Sequence, residues 1–262
     1  MAKKEEEKKQ LKQKETTMEF ISSMAVVLVI GLFIITFNLQ AFEIPSSSME
    51  DTLLIGDHVF VDRVSYAPKA RFAGPLLPYR DIRRGDIVVF LSVTDPGMYI
   101  VKRIIGIPGD HIRLKDGVVY RNGEAVAETY IKKACDDLGT PCYSPYRDNF
   151  PSVPAAMSNI PPTPEWTLFM PLNKNEQDEL VVPPESYFGM GDNRFASYDS
   201  RYWGFIPREN VIGRPMFIYW SFQTPKDQYQ KQSFRERIAF IGHVVLHFFD
   251  ETRWRRTLHM VR

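Results

Sequence analysis

Cysteine is nearly missing from this chain: two occur among 262 residues, too few for a small scaffold stapled by several disulfides. Histidine is scarce as well, scattered at 58, 111, 243, 247 and 259. Read along the chain, no His/Cys cluster has zinc-ligand spacing, so the sequence predicts no metal, and nothing in it calls for another cofactor. An excess of either charge is lacking, with 33 Lys plus Arg against 32 Asp plus Glu. That balance excludes a broad electrostatic footprint for a phosphate backbone, and no nucleic acid is expected as partner. Internal repeats are absent too, which leaves solenoids and propellers unsupported. What remains is 44% hydrophobic and 25% charged content, ordinary for a folded protein with room for one large or two average domains.

The mean hydropathy of -0.26 conceals one strong local departure. From Phe20 to Phe42 no side chain ionises, and these 23 residues are long enough as a helix to cross a hydrocarbon core of roughly 30 Å. The tail before it, residues 1–19, carries Lys3, Lys4, Lys8, Lys9, Lys12 and Lys14, and the positive-inside rule puts that tail in the cytoplasm. Glu43-Ile44-Pro45 after the run offers no small-x-small cleavage site, so residues 20–42 read as a retained anchor rather than a removed signal peptide. Everything beyond about residue 43 is then expected outside the cytoplasm, on a single-pass chain. In an oxidising compartment Cys135 and Cys142, flanking Gly139-Thr140-Pro141, are expected to close a local disulfide; two buried free thiols are the alternative.

Past the anchor the periodicity is that of strands. His58–Val64 alternates, Asp86–Leu91 is a short apolar run, and His111–Val126 contains Asp-Gly and Asn-Gly turn signals between strand pieces. No long amphipathic helix interrupts residues 43–225. The expected fold is therefore mainly β, an antiparallel body of folded-over sheets or barrel-like form. Residues 145–164 hold six prolines, which withhold donors from a ladder and mark an irregular insertion. The closing segment, 226–262, mixes apolar residues with Arg235, Arg237, Arg253, Arg255 and Arg256. Its apolar core is too short to span a bilayer, and it reads as an amphipathic helix, lying on lipid or packed on the sheet.

Three clusters carry possible chemistry. Ser46-Ser47-Ser48 follows the anchor closely; on composition it is equally a solvated linker, and a serine needs a base in reach before it attacks anything. Lys102 stands inside a β-branched run. If its amine is buried, desolvation disfavours the ammonium, and Arg103 beside it adds like-charge pressure; on the wet face of an edge strand it is an ordinary surface lysine. Gly189–Phe205 is rich in glycine and in Asp/Arg pairs, a plausible brace for a site and equally a structural turn.

Taken together and in this order, P-S-x-S-M-x-x-T-L-x-x-G-D, V-K-R-I-I-G-x-P-G-D and G-D-N-R-x-x-S-x-D-S-R-x-W-G resemble the bacterial type I signal peptidase family. Its members are membrane-anchored Ser/Lys proteases that remove signal peptides from exported proteins. The resemblance runs from the membrane helix to about Phe222. It implies Ser48 as nucleophile and Lys102 as general base, with Ser46 joining the Ser48 N–H in an oxyanion hole and the Ser197 hydroxyl orienting the Lys102 amine. It implies Asp199 and Arg201 as a buttressing pair, and Asp192, Arg194 and Arg103 as further supports. Ile44, Met49, Leu53 and Val101 would line shallow apolar pockets for the Ala-x-Ala ending of a signal peptide, and the location would be the bacterial inner membrane.

The partners so implied are preproteins bearing signal peptides, membrane lipid and the secretion channel, met by a monomer. The chain departs from the family pattern in two ways. Asp51, after Glu50, occupies the place of a usual proline, and one apolar segment precedes the body where many proteobacterial members have two. A membrane-tethered β domain that binds peptides without cutting them is the alternative from another class. A Ser/Lys self-cleaving regulator is disfavoured, because such proteins are soluble and bind DNA.

Overall fold

The computed structural model describes residues 17–67, 79–132, 135, 142–225, 227–231 and 233–261. The lysines of the tail at 3–14 and the Gly139–Pro141 turn lie outside the described residues. The chain divides into two compact units, 1–40 and 41–262.

The first unit is helix α1, Thr17–Phe33, continued by a π-helical turn over Ile34–Asn38. Together they make 22 residues, long and apolar enough to cross a membrane, and no side chain of either is buried. The expected end at residue 42 is corrected: Leu39–Glu43 forms strand β1. Backbone groups that leave the helix there find partners in a sheet instead, since β1 lies next to β2 in the strand order.

The second unit is built on two sheets. The larger runs β1-β2-β11-β3-β4-β9-β10 with β12 added to β11, and the smaller runs β7-β6-β5-β8. The strands are β2 Asp57–Asp62, β3 Ile87–Leu91, β4 Tyr99–Gly106, β5 His111–Lys115, β6 Val118–Arg121, β7 Glu124–Ala125, β8 Leu180–Val181, β9 Ser186–Met190, β10 Ile206–Pro207, β11 Val211–Ser221 and β12 His259–Met260. β3–β4, β4–β9, β5–β6 and β11–β2 are all antiparallel, in agreement with the mainly β expectation. The two short connections of the small sheet follow from their turn residues. Asp116 and Gly117 take φ of 50° and 79°, and Asn122 and Gly123 take 54° and 84°, the paired left-handed conformation that tight hairpins require. Long β11 holds Pro215, and its pairing with β2 slips register between Pro215 and Phe217, as expected where a strand residue has no N–H to give.

The larger sheet is covered on both faces. Along β3, Val88 and Phe90 join a cluster with Tyr66, Ile104, Trp203 and Ile206, while Ile87 and Val89 join Ile44, Met49, Leu53, Val59 and Val61. The period of two in a strand sends alternate side chains to opposite sides. The proline-rich insertion is irregular but far from a mere surface loop. Its short helices α2, Pro145–Asp148, and α3, Pro164–Phe169, place Tyr146, Phe150 and Trp166 in a third cluster with Ile112, Val119 and Phe188. A further single turn, α4, spans Ser200–Trp203, and α5 spans Phe234–Leu246. Helix α5 opens with a capping box, Ser233 with Glu236. Phe240 and His243 stand edge-on to Phe222 with ring centroids 6.3 and 6.1 Å away, while Phe234, Ile238, Ile241 and Val245 are exposed on its other side.

Candidate active site

Residues 46–53 leave β1 and make a tight 3₁₀ turn, Ser47–Met49. Met49 and Leu53, both fully buried, pin this turn into the core between β2 and β3. The Ser48 hydroxyl is thereby held inward, with the residue only 9% exposed. Against it lies Lys102, whose Nζ is 2.8 Å from Ser48 Oγ. Lys102 sits on β4, flanked by β3 and β9 in the strand order, and the burial of its side chain excludes the wet-face alternative. It is 3% exposed.

Burial lowers the Lys102 amine from its usual value to about 8; Asp199 and Asp192 pull it back up, and Arg201 pushes it down. This corrects one expectation. The cation that presses on Lys102 is Arg201, not its neighbour Arg103, because adjacent strand residues face opposite sides and Arg103 is occupied elsewhere. Its Nε and Nη2 donate to the Asp192 carboxylate at 2.8 and 2.7 Å, and its guanidinium lies 4.0 Å over the Tyr130 ring.

The Gly189–Phe205 segment encloses the dyad from the other side. Gly191 passes so close to the Ser48 carbonyl and the Ser197 side chain that a Cβ there would collide with both, which is the steric reason for glycine at this position. Asn193 N–H donates to Ser48 O at 3.1 Å and its side-chain amide donates to Ser47 O at 3.2 Å. Asp199 caps α4 by accepting from Arg201 N–H, and it takes Arg201 Nε and Nη2 at 2.8 Å each. Burial alone would raise the Asp199 carboxyl, but Arg201, Lys102 and the Gly191 N–H hold it below its usual value.

Ser46 Oγ stands 3.4 Å from Ser48 Oγ, so the two hydroxyls of the first box share one opening. The Ser197 hydroxyl, expected to orient the Lys102 amine, is buried without a hydrogen-bond partner and lies where a Cβ on Gly191 would meet it. Asp192 and Arg194 do brace the loop, but not as a pair: Asp192 takes Arg103 and the Thr52 hydroxyl at 2.5 Å, whereas Arg194 forks onto Glu128. Ile44, Met49 and Leu53 form one buried cluster, and of the four residues named for the pockets only Val101 stays half-open at its edge.

Sequence reasoning missed the segment 128–132. Glu128 holds Arg194, Tyr130 covers Arg103, Lys132 N–H donates to Asp192 O at 3.1 Å, and Lys132 Nζ meets Glu50 at 3.0 Å. No local pattern marks these residues, whose contacts to the site reach partners dozens of positions away. The departure at Asp51 has a structural counterpart: its φ is 78°, a conformation closed to proline, so the turn after Ser48 follows a path that a proline there would forbid. Glu50 is tied to Lys132 and Asn193, while Asp51 is exposed. Cys135 and Cys142 are joined as a disulfide.

A serine hydroxyl held against a buried amine of lowered basicity is a pairing from which a proton can be drawn. The family model that matches is that of signal peptidase, peptidase S26, aligned with residues 17–220. The chain is 33% identical over 218 residues to a probable signal peptidase I-2 of Synechocystis sp., covering 81% of this chain and 78% of that protein. It is 31% identical over 234 residues to signal peptidase I of Pseudomonas aeruginosa, covering 82% and 77%. A crystal structure of a signal peptidase I from Enterococcus faecalis is 29% identical, with a TM-score of 0.36 over 52% of this chain and 97% of that one. The class the family model and these relatives define is a peptidase. The chain belongs to the signal peptidase family, peptidase S26.

Proposed function

We propose that this peptidase removes signal peptides from exported preproteins, cutting after a small-x-small sequence, with Ser48 as nucleophile and Lys102 as its general base. The observation that carries the reading is the 2.8 Å contact between Lys102 Nζ and Ser48 Oγ, both residues being buried. Lys102 takes the hydroxyl proton as Ser48 Oγ attacks the scissile carbonyl carbon. The peptide C–N bond then breaks, the leaving amine takes the proton from Lys102, and water activated by the same amine hydrolyses the Ser48 ester. The Ser46 hydroxyl and the Ser48 N–H steady the oxyanion.

Substrate reaches this pair as an added strand. β4 pairs with β3 along Tyr99–Arg103, but toward β9 its pairing begins only at Arg103–Met190. Tyr99–Lys102 therefore keep one edge without a ladder partner among the described residues, beside the nucleophile, where an extended peptide can pair. The wall beneath, Ile44, Met49 and Leu53 closed up with Val101, leaves depth for small side chains only. The apolar segment and the positive-inside rule support an orientation with the lysine-bearing tail in the cytoplasm and the body on the outer side of the bacterial inner membrane, the side on which a membrane-held signal peptide meets its exported partner.

The test is cleavage of a model preprotein by purified full-length protein in detergent. Ser48→Ala and Lys102→Met are expected to be inactive, and Ser46→Ala to lose about 10²–10³ in turnover, the usual loss for one oxyanion donor. Wild-type rates in either of the first two variants sink the assignment.

A further inference from the structure

Two of the five histidines stand four residues apart at the end of α5, His243 in its last turn and His247 as its C-cap, and the chain turns after them to bring a carboxylate back. His243 and His247 lie on one helical face, as i and i+4 positions do, with ring centroids 4.6 Å apart. Glu251 returns its Oε2 to 2.8 Å from His243 Nε2, with Oε1 4.0 Å from His247 Nδ1. One ligand atom from each of the three lies within 4.8 Å of the others, which a small rotamer adjustment brings to the ligand spacing of a tetrahedral ion with bonds of about 2.0–2.2 Å.

We propose that His243, His247 and Glu251 form a binding site for a divalent transition-metal ion of the zinc class, separate from the catalytic serine. This corrects the expectation that the histidines are unclustered. Counting along the chain hides a cluster whose third member is a glutamate four residues past the helical pair. Two imidazoles and one carboxylate suit zinc in donor type, and a three-residue set leaves one position for water. There is room for that water: a cavity of about 440 Å³ opens here, lined by Gln223, Thr224, Pro225, His243, Glu251 and Arg253.

The groups around the site permit a cation. Arg253 is the nearby positive charge, and its guanidinium is turned away, donating to Ile55 O at 2.9 Å and standing 3.9 Å from Asp57. Asp250 adds a second carboxylate, 2.9 Å from His247 Nδ1. The backbone is held as well. Glu251 N–H donates to His247 O at 3.0 Å, Glu251 O accepts from Gln223 N–H at 3.0 Å, and Thr252 bridges to Phe222. An ion here would tie the end of α5 to Glu251, in the stretch of chain whose backbone already pairs with Phe222 and Gln223 just past β11.

The experiment uses purified full-length protein, stripped with a chelator and freed of it, then titrated with zinc by calorimetry. Cobalt serves as a spectroscopic substitute whose visible bands report nitrogen and oxygen ligands in a tetrahedral field. One ion per chain is expected, with a melting temperature that rises on zinc addition. His247→Ala and Glu251→Gln should each weaken binding by more than about a hundredfold, beyond the 10–100-fold that partners outside the ligand set cost, and abolish the zinc-dependent rise in melting. His259→Ala, on β12, should bind as the wild type does. Glu251→Gln conserves volume and hydrogen bonding, so it keeps the test open if His247→Ala melts without cooperativity. Absence of saturable binding in the wild type, or binding unchanged in Glu251→Gln, overturns the site.

Discussion

Lys102 is where a single residue's environment decides what the protein can do. Its isolation from solvent, rather than the presence of a neighbouring cation in sequence, lowers the amine to about 8, and the two carboxylates that oppose the shift make no hydrogen bond to it. The sign of the pH dependence follows. Below about pH 8 the amine is protonated, and the free base falls about tenfold for each further pH unit, so kcat/KM should drop along an acid limb with that apparent pKa. A rate constant from about pH 9 down to about pH 6 would remove Lys102 from the role of base. The residue types at the site were legible from the three boxes, but the pressures on them were not. Arg103 was expected to act on Lys102 and instead serves Asp192, and the Ser197 hydroxyl, expected on the amine, forms no hydrogen bond. Sequence adjacency says nothing about which face of a strand a charge occupies once its partner is a distant residue.

At the scale of elements, the strands and hairpins were readable because their signals are local. Asp116-Gly117 and Asn122-Gly123 name the two tight turns of the small sheet through the φ > 0 that their residues tolerate. The single turn α4 shows the opposite case. It is far too short to stand by itself, and it persists because Asp199 caps it and Arg201 locks onto that cap in a fully buried pair. Asp199→Asn should therefore leave Arg201 without its counter-charge, at a cost of about 3–5 kcal/mol, measurable by urea denaturation at neutral pH. In whatever fraction stays folded, removing a carboxylate that raises Lys102 should move the acid limb of activity to lower pH. A loss of stability below about 1 kcal/mol would show that the pair is replaceable.

For the whole molecule, the division at residue 40 separates a helix with nothing buried from a body that carries all three core clusters. A chain beginning at Leu39 should therefore melt cooperatively in detergent within a few degrees of the full-length protein; loss of a cooperative transition would show that the body depends on α1. The sequence by itself determined the apolar helix, the β character of the body, the hairpins and the three boxes that hold Ser48 and Lys102, because each is written in a short window of hydropathy, turn chemistry or motif. Only the tertiary structure decided that Ser48 and Lys102 meet, that residues 128–132 wrap the site, that β1 takes the last four residues of the apolar run, and that two histidines find a glutamate. Those outcomes depend on which distant segments share the same small volume, and a linear pattern carries no record of that until the chain has closed on itself.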